Sequence, residues 1–197
     1  LGVRGVFVWL CLVFAASAPG ALAQTSWGLP ELMNDMARVH SASARFTERE
    51  TMQMLNAPLL VSGFLSYRAP GYLRKHTVSA APEDFILDDG QITMSGADQQ
   101  TRVFSEQNDP RIGGLVEGIR ATLAGDLPAL QRFYTLQLSG NATAWQLVLR
   151  PKDSGVARFV KWILLQGSQN RIKIIDTASG NGDHSEMSVI EDLGNGG

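Results

Sequence analysis

Apolar residues recur along this chain at two spacings, and each change of spacing marks a change of element. Leu29, Leu32, Met33, Met36 and Val39 fall every three or four positions, which predicts a helix over 29–40 with one apolar stripe. Pro30 and Glu31 suit its first turn, where a missing N–H costs little and a carboxylate meets the positive end of the helix dipole. From Ala44 the period shortens to two. Phe46 and Glu48 alternate with Arg45, Thr47 and Arg49, so 44–54 reads as a strand. Strand patterns follow at 59–67, 73–79, 85–87, 91–94 and 101–104. Pro70-Gly71 turns the chain between two of them, and Asp88-Asp89-Gly90 between two short apolar runs is a hairpin signal.

Helical spacing returns at 111–125, through Ile112, Leu115, Ile119 and Leu123. Gly113, Gly114 and Gly118 weaken this helix by ~1 kcal/mol each relative to Ala. Gly125-Asp126 ends it, and Asp126 caps a second short helix over 127–133 with Pro128 in its first turn. Strands resume at 145–150, 157–166, 171–176 and 184–190. The second of these is apolar on both faces, with Phe159, Ile163 and Leu165 opposite Val160, Trp162 and Leu164. An N-terminal helix, about ten strands and a helical pair inserted between strands predict an α+β domain with one large antiparallel sheet.

The first 23 residues change where this domain is expected to work. Arg4 precedes the apolar run Val6 to Ala16, Pro19-Gly20 breaks it, and Ala21-Leu22-Ala23 has the form of a cleavage site. The run of 11 residues is short of the ~20 that cross a bilayer. Leu10 before Cys11 does not make a lipobox. The expectation is a cleaved signal peptide at 1–23, a single domain over 24–197 and a periplasmic location. Cleavage removes Cys11, the one cysteine, and with it disulfides, thiol catalysis and cysteine zinc sites. Removing Arg4 leaves 16 basic against 19 acidic residues with no long block of one sign, a poor match to nucleic acid or an anionic membrane.

Catalytic signals are sparse. His40, His76 and His184 sit on separate elements without ligand spacing, and there is no nucleophile elbow, Walker loop or dinucleotide fingerprint. What stands out instead is a surplus of apolar strand positions over the helices available to cover them. A sheet so furnished either packs a solid core or encloses an apolar cavity under a partial lid. On the cavity reading, Phe64, Leu73, Ile86 and Trp162 are the candidate wall residues, and Leu115, Ile119 and Leu123 form the inner stripe of the lid.

Several short motifs in fixed order resemble one family. They are Ala44-Arg45-Phe46-Thr47-Glu48, then Ser62-Gly63-Phe64-Leu65-Ser66-Tyr67-Arg68-Ala69-Pro70, then Phe85-Ile86-Leu87-Asp88-Asp89-Gly90. Leu123-Ala124-Gly125-Asp126, Leu147 to Pro151 and the hairpin from Ile163 to Ile175 complete the set. Together they are similar to the LolA-like periplasmic lipoprotein carriers, over nearly the whole chain after the leader. The resemblance implies an incomplete, strongly curved antiparallel β-barrel with helices as its lid. It implies cargo, an acylated lipoprotein or another acyl lipid, taken from an inner-membrane donor and passed to an outer-membrane acceptor. It also implies that Arg68 gates the lid by bonding helix carbonyls, with Leu73 just after the motif, and a non-enzymatic monomer as the simplest shuttle. Glu48 where the family has Gln, and Ala69 inserted between Arg68 and Pro70, mark a divergent branch. Two other readings stay open: an exported enzyme on acyl or glycan substrates using Glu48, His76, Asp88 and Asp89, or an envelope interaction module with no cavity.

Overall fold

Eleven strands pair in one antiparallel sheet, whose order follows from simple hairpin succession. The computed structural model describes residues 27–96, 100–105 and 110–191, and the leader expected at Leu1 to Ala23 lies outside them. Helix α1 (Leu29–Met36) precedes β1 (Ser41–Thr51), β2 (Leu59–Arg68), β3 (Tyr72–Thr77), β4 (Glu83–Asp88), β5 (Gln91–Ser95) and β6 (Thr101–Ser105). Each of these strands pairs with the one before it, so the meander runs from the middle of the sheet to one edge. The chain then crosses to the other edge through α2 (Pro110–Leu123) and α3 (Leu127–Phe133). There β7 (Tyr134–Asn141), β8 (Ala144–Pro151), a four-residue α4 (Ser154–Ala157), β9 (Val160–Ser168), β10 (Arg171–Ser179) and β11 (His184–Glu191) lead back. β11 pairs with β1, and β6 and β7 remain as edges, so the barrel is incomplete.

The sheet must curve strongly. Val116 of α2 packs with Leu87 and Ile92 of β4 and β5, while a Cβ at Gly118 would lie 2.9 Å from Ile163 of β9. In a flat sheet those strands would lie roughly 30 Å apart at ~4.8 Å per strand, and a helix is only ~10 Å across. One helix reaches both only if the sheet wraps around it. Gly114 and Gly118 therefore have a packing role beyond the local weakness read from sequence. A Cβ at Gly114 would sit 2.4 Å from Val156, so both glycines let α2 lie close to its neighbours.

The solid core occupies one half. Leu32, Met33 and Met36 of α1 and Leu130 of α3 bury against Trp145, Leu147 and Leu149 of β8 and Val160, Ile163 and Leu165 of β9. Glu31 returns to cap α1, accepting a hydrogen bond from Gly28 N at 2.9 Å. Two corrections to the sequence pattern arise here. β7 was not foreseen, because α3 ends at Phe133 and the strand starts at Tyr134 with no turn residue between them. In β9 the pairing with β10 slips between Ala178 and Ser179, which brings Val160 to the same side as Ile163 and Leu165.

Tyr134 ties the lid to this core, its hydroxyl donating to Gly114 O. Burial pushes its pKa above the ordinary phenol value of 10, and the neighbouring Glu117 charge adds to the effect. The folded protein thus keeps a proton that the unfolded chain gives up near pH 10. This contribution to stability is intact below pH 10 and shrinks as pH rises past it. Absorbance titration should show Tyr134 ionising only together with alkaline unfolding. Ionisation near pH 10 with the far-UV circular dichroism intact would remove this contact.

Candidate functional site

Strand alternation decides which side chains can meet inside. The pairing rows Ala42–Tyr67–Leu73–Leu87 and Ala44–Leu65–Lys75–Phe85 face the lid. So do Phe46, Glu48 and Glu50 of β1 and Ser185, Met187 and Val189 of β11. Between this face and α2 lies a cavity of about 900 Å³. At ~30 Å³ for a water-sized unit it holds roughly thirty such units, and a methylene is of similar size. Leu65, Leu73, Phe85 and Met94 line it from one half of the sheet, and Ile172, Ile175, Met187 and Val189 from the other. Leu115, Val116, Ile119 and Leu123 of α2 form its roof. Leu115, Ile119 and Leu123 remain only half-buried: Leu115 and Leu123 pack on one side against the solid core, and all three turn part of their surface to the void. Val39, the last member of the α1 stripe, falls beyond the helix and lines the cavity too.

Three of the four wall residues expected from sequence lie elsewhere. Leu73 lines the cavity; Phe64, Ile86 and Trp162 do not. Phe64 sits in the outward row between Arg45 and His76, 47% exposed, with its ring stacked on His76 at 6.5 Å. Ile86 pairs with Arg74, also outward, and Trp162 shares its outward row with Ala178 and His184. Both faces of these strands carry large apolar residues, so the pattern alone could not choose the inner one.

Arg68 also lies elsewhere than expected. Tyr67 faces inward, so Arg68, one residue on, faces outward, its guanidinium 4.6 Å from the centre of the Tyr72 ring. The arginine at the lid is Arg120, on α2 itself. It grips Glu117 through Nε and Nη2 at 2.6 and 2.7 Å and reaches Pro70 O, in the β2–β3 turn, at 3.4 Å. Beneath it the Tyr67 hydroxyl is buried with no hydrogen-bond partner among the described residues. Burial raises the Tyr67 pKa, and the nearby Arg120 charge opposes that shift.

The cavity also has a charged wall. Glu48 is 7% exposed, accepts Lys75 Nζ at 2.5 Å through Oε2 and the Ser185 hydroxyl through Oε1. Lys75 Nζ lies 5.2 Å from the centre of the Phe46 ring below it. Both carboxylate oxygens are therefore satisfied, which is what a buried charge requires. Next along β1, Glu50 has its pKa raised by burial first, then by Glu48 and Glu83, with Lys75 opposing. This wall was missed in the sequence because Lys75 and Ser185 lie far from Glu48 along the chain. The residues of the enzyme reading are not brought together. Glu48 is inward, His76 is outward against Asp84 at 3.0 Å, and Asp88 and Asp89 turn the β4–β5 hairpin. Among the described residues no group of His, Cys, Asp and Glu could hold a metal ion. None of the described helices is long and apolar enough to cross a membrane.

Residues 19–190 match a family model described as outer membrane lipoprotein carrier protein LolA-like. No curated protein matches the sequence. Among solved structures, a LolA superfamily protein from Nitrosomonas europaea is similar at 12% identity and a TM-score of 0.45, over 83% of this chain and 93% of that one. A putative outer membrane lipoprotein-sorting protein domain from Vibrio parahaemolyticus aligns at 9% identity and a TM-score of 0.43, over 85% of this chain and 92% of that one.

Proposed function

The chain belongs to the outer membrane lipoprotein carrier protein LolA-like family, and on that footing we propose that it is a periplasmic carrier that holds acyl chains in the cavity beneath α2. The observation that carries this reading is the cavity of about 900 Å³ beneath α2, walled largely by apolar side chains and roofed by the half-buried Leu115, Ile119 and Leu123. Acyl binding needs area rather than finely placed groups. At ~0.8 kcal/mol per methylene, a chain of about 14 carbons supplies on the order of 10 kcal/mol before ordering costs. The cargo is an acylated lipoprotein or another acyl lipid, received from an inner-membrane donor and delivered to an outer-membrane acceptor. Leu1 to Ala23 is its export leader, so protein recovered from the periplasm should begin at Gln24.

A matched pair of variants tests the cavity. Leu73→Ser should weaken a fluorescent fatty-acyl probe by about tenfold or more, because a polar group replaces wall area. Phe64→Ser, on the outer face of the same sheet, should leave affinity within about twofold. If the wild type binds no probe, or both variants bind alike, acyl chains do not enter this cavity.

Arg120 acts as the latch that the family resemblance assigned to Arg68. It sits on the moving element and holds the fixed β2–β3 turn through Pro70 O. Arg120→Leu should accelerate probe release by roughly tenfold, the size of one charge-assisted hydrogen bond at ~1.5 kcal/mol. Amide exchange over α2 should rise with it. An unchanged release rate measured by stopped flow would leave Arg120 as a helix-surface ion pair with Glu117.

A further inference from the structure

The inference deepens the carrier reading and rests on it: we infer that the cavity takes amphiphiles with a cationic head, placing an ammonium against Glu50 and Glu83 with the acyl chain beneath α2. The void is not apolar throughout. From the Leu73 and Leu115 lining it continues, as one cavity, to a stretch carrying Glu48, Glu50, Glu83 and Asp183 together with Lys75 and Arg158. Lys75 and Glu48 satisfy each other at 2.5 Å. Asp183 is held by neutral donors, Gln53 N at 2.9 Å and Asn181 Nδ2 at 2.7 Å. Arg74 and His184, at the margin, are engaged by Asp84 at 2.7 Å and Asp176 at 2.6 Å, and Glu191 by Arg171 at 3.1 Å. Once those pairs are set aside, the wall offers, among the described residues, Glu50, Glu83 and Asp183 against Arg158.

Glu50 is the centre of that imbalance. It is half-buried, on the inward face of β1 opposite Ser185, with Glu48 two residues back on the same face. Its raised pKa comes from lost water and from two neighbouring carboxylates. A cation placed there relieves both at once, whereas a carboxylate or phosphate head would add to the repulsion. Thr77, Thr177 and Ser185 line the same stretch and offer hydroxyl oxygens to the N–H groups of an ammonium. An amphiphile whose chain fills the apolar part thereby brings its head to a wall that distinguishes charge.

The test holds chain length constant and varies the head. Tetradecylammonium, tetradecanol and tetradecanoate, each below its micellar concentration, compete with a neutral fluorescent acyl probe on the mature chain at pH 7. Tetradecylammonium should bind at least tenfold more tightly than tetradecanoate, with the alcohol between them, and the gap should narrow in high salt. Glu50→Gln should shrink the gap severalfold and leave the alcohol unchanged, and Glu83→Gln serves the same purpose if the first variant does not fold. Ethylammonium, which has the charge without the chain, should not displace the probe. Equal affinities for the three heads, or tightest binding of the carboxylate, overturn the head preference while the carrier reading stands. Displacement by ethylammonium means that the wall takes free amines and overturns it too. Failure of the probe and all three amphiphiles to bind removes the carrier reading and this inference together.

Discussion

Ile175→Trp should abolish most acyl binding while leaving the fold as stable as before. Ile175 lies on the inward face of β10, between Leu165 and Met187, and is only half-buried because its far side meets the cavity. An indole there extends into the space that a ligand chain would fill. Displacing about three methylenes removes ~2 kcal/mol of binding, roughly thirtyfold in affinity. Enlarging a side chain in a packed core costs ~1–3 kcal/mol, but in a void the added atoms gain contacts instead. Probe affinity and the urea midpoint, measured together, separate the two cases. A large loss of stability with unchanged probe affinity would place Ile175 in solid core and take the cavity away from this face.

The sequence made the elements legible and left the inner face undecided. Hydrophobic period located α1, α2, α3 and ten of the eleven strands, while the surplus of apolar strand positions left a solid core and a cavity both open. Period two says that Phe64 and Leu65 point opposite ways, but not which one points in. That depends on curvature and on where α2 crosses, both set by contacts between strands distant in the chain. Glu48 misdirects a reader further, since it is a charged residue on the inward face, made tolerable by Lys75 and Ser185. The resemblance placed the lid arginine at Arg68, but its neighbour Tyr67 takes the inward face, and the guanidinium beside α2 belongs to Arg120. Gly114 and Gly118 read locally as helix breakers, and only the packing against Val156, Ile163 and Tyr134 reveals why α2 carries them.

Gly167→Val should be among the most damaging single changes outside the cavity. Gly167 lies in β9 opposite Trp145 of β8. A Cβ there would fall 2.3 Å from Trp145 Cζ2 and 2.2 Å from Arg171 O, so the indole lies against bare backbone. Trp145 is 1% exposed within the solid half of the core, and its Nε1 donates to Gln169 O at 2.8 Å, in the turn that follows β9. Any side chain at position 167 must expel the ring or displace the β9–β10 turn that its N–H holds. Losing a buried aromatic side chain costs ~3–5 kcal/mol, and the stranded carbonyl of Gln169 adds to it. For a domain of this size that lowers the melting temperature by about 10 °C. Gly167→Ala should be nearly as severe, because the collision is already with the first side-chain carbon. Tryptophan fluorescence should shift to the red as Trp145 meets water. A variant that melts within about 2 °C of the wild type and keeps its emission maximum would mean that the Trp145 ring does not rest on Gly167.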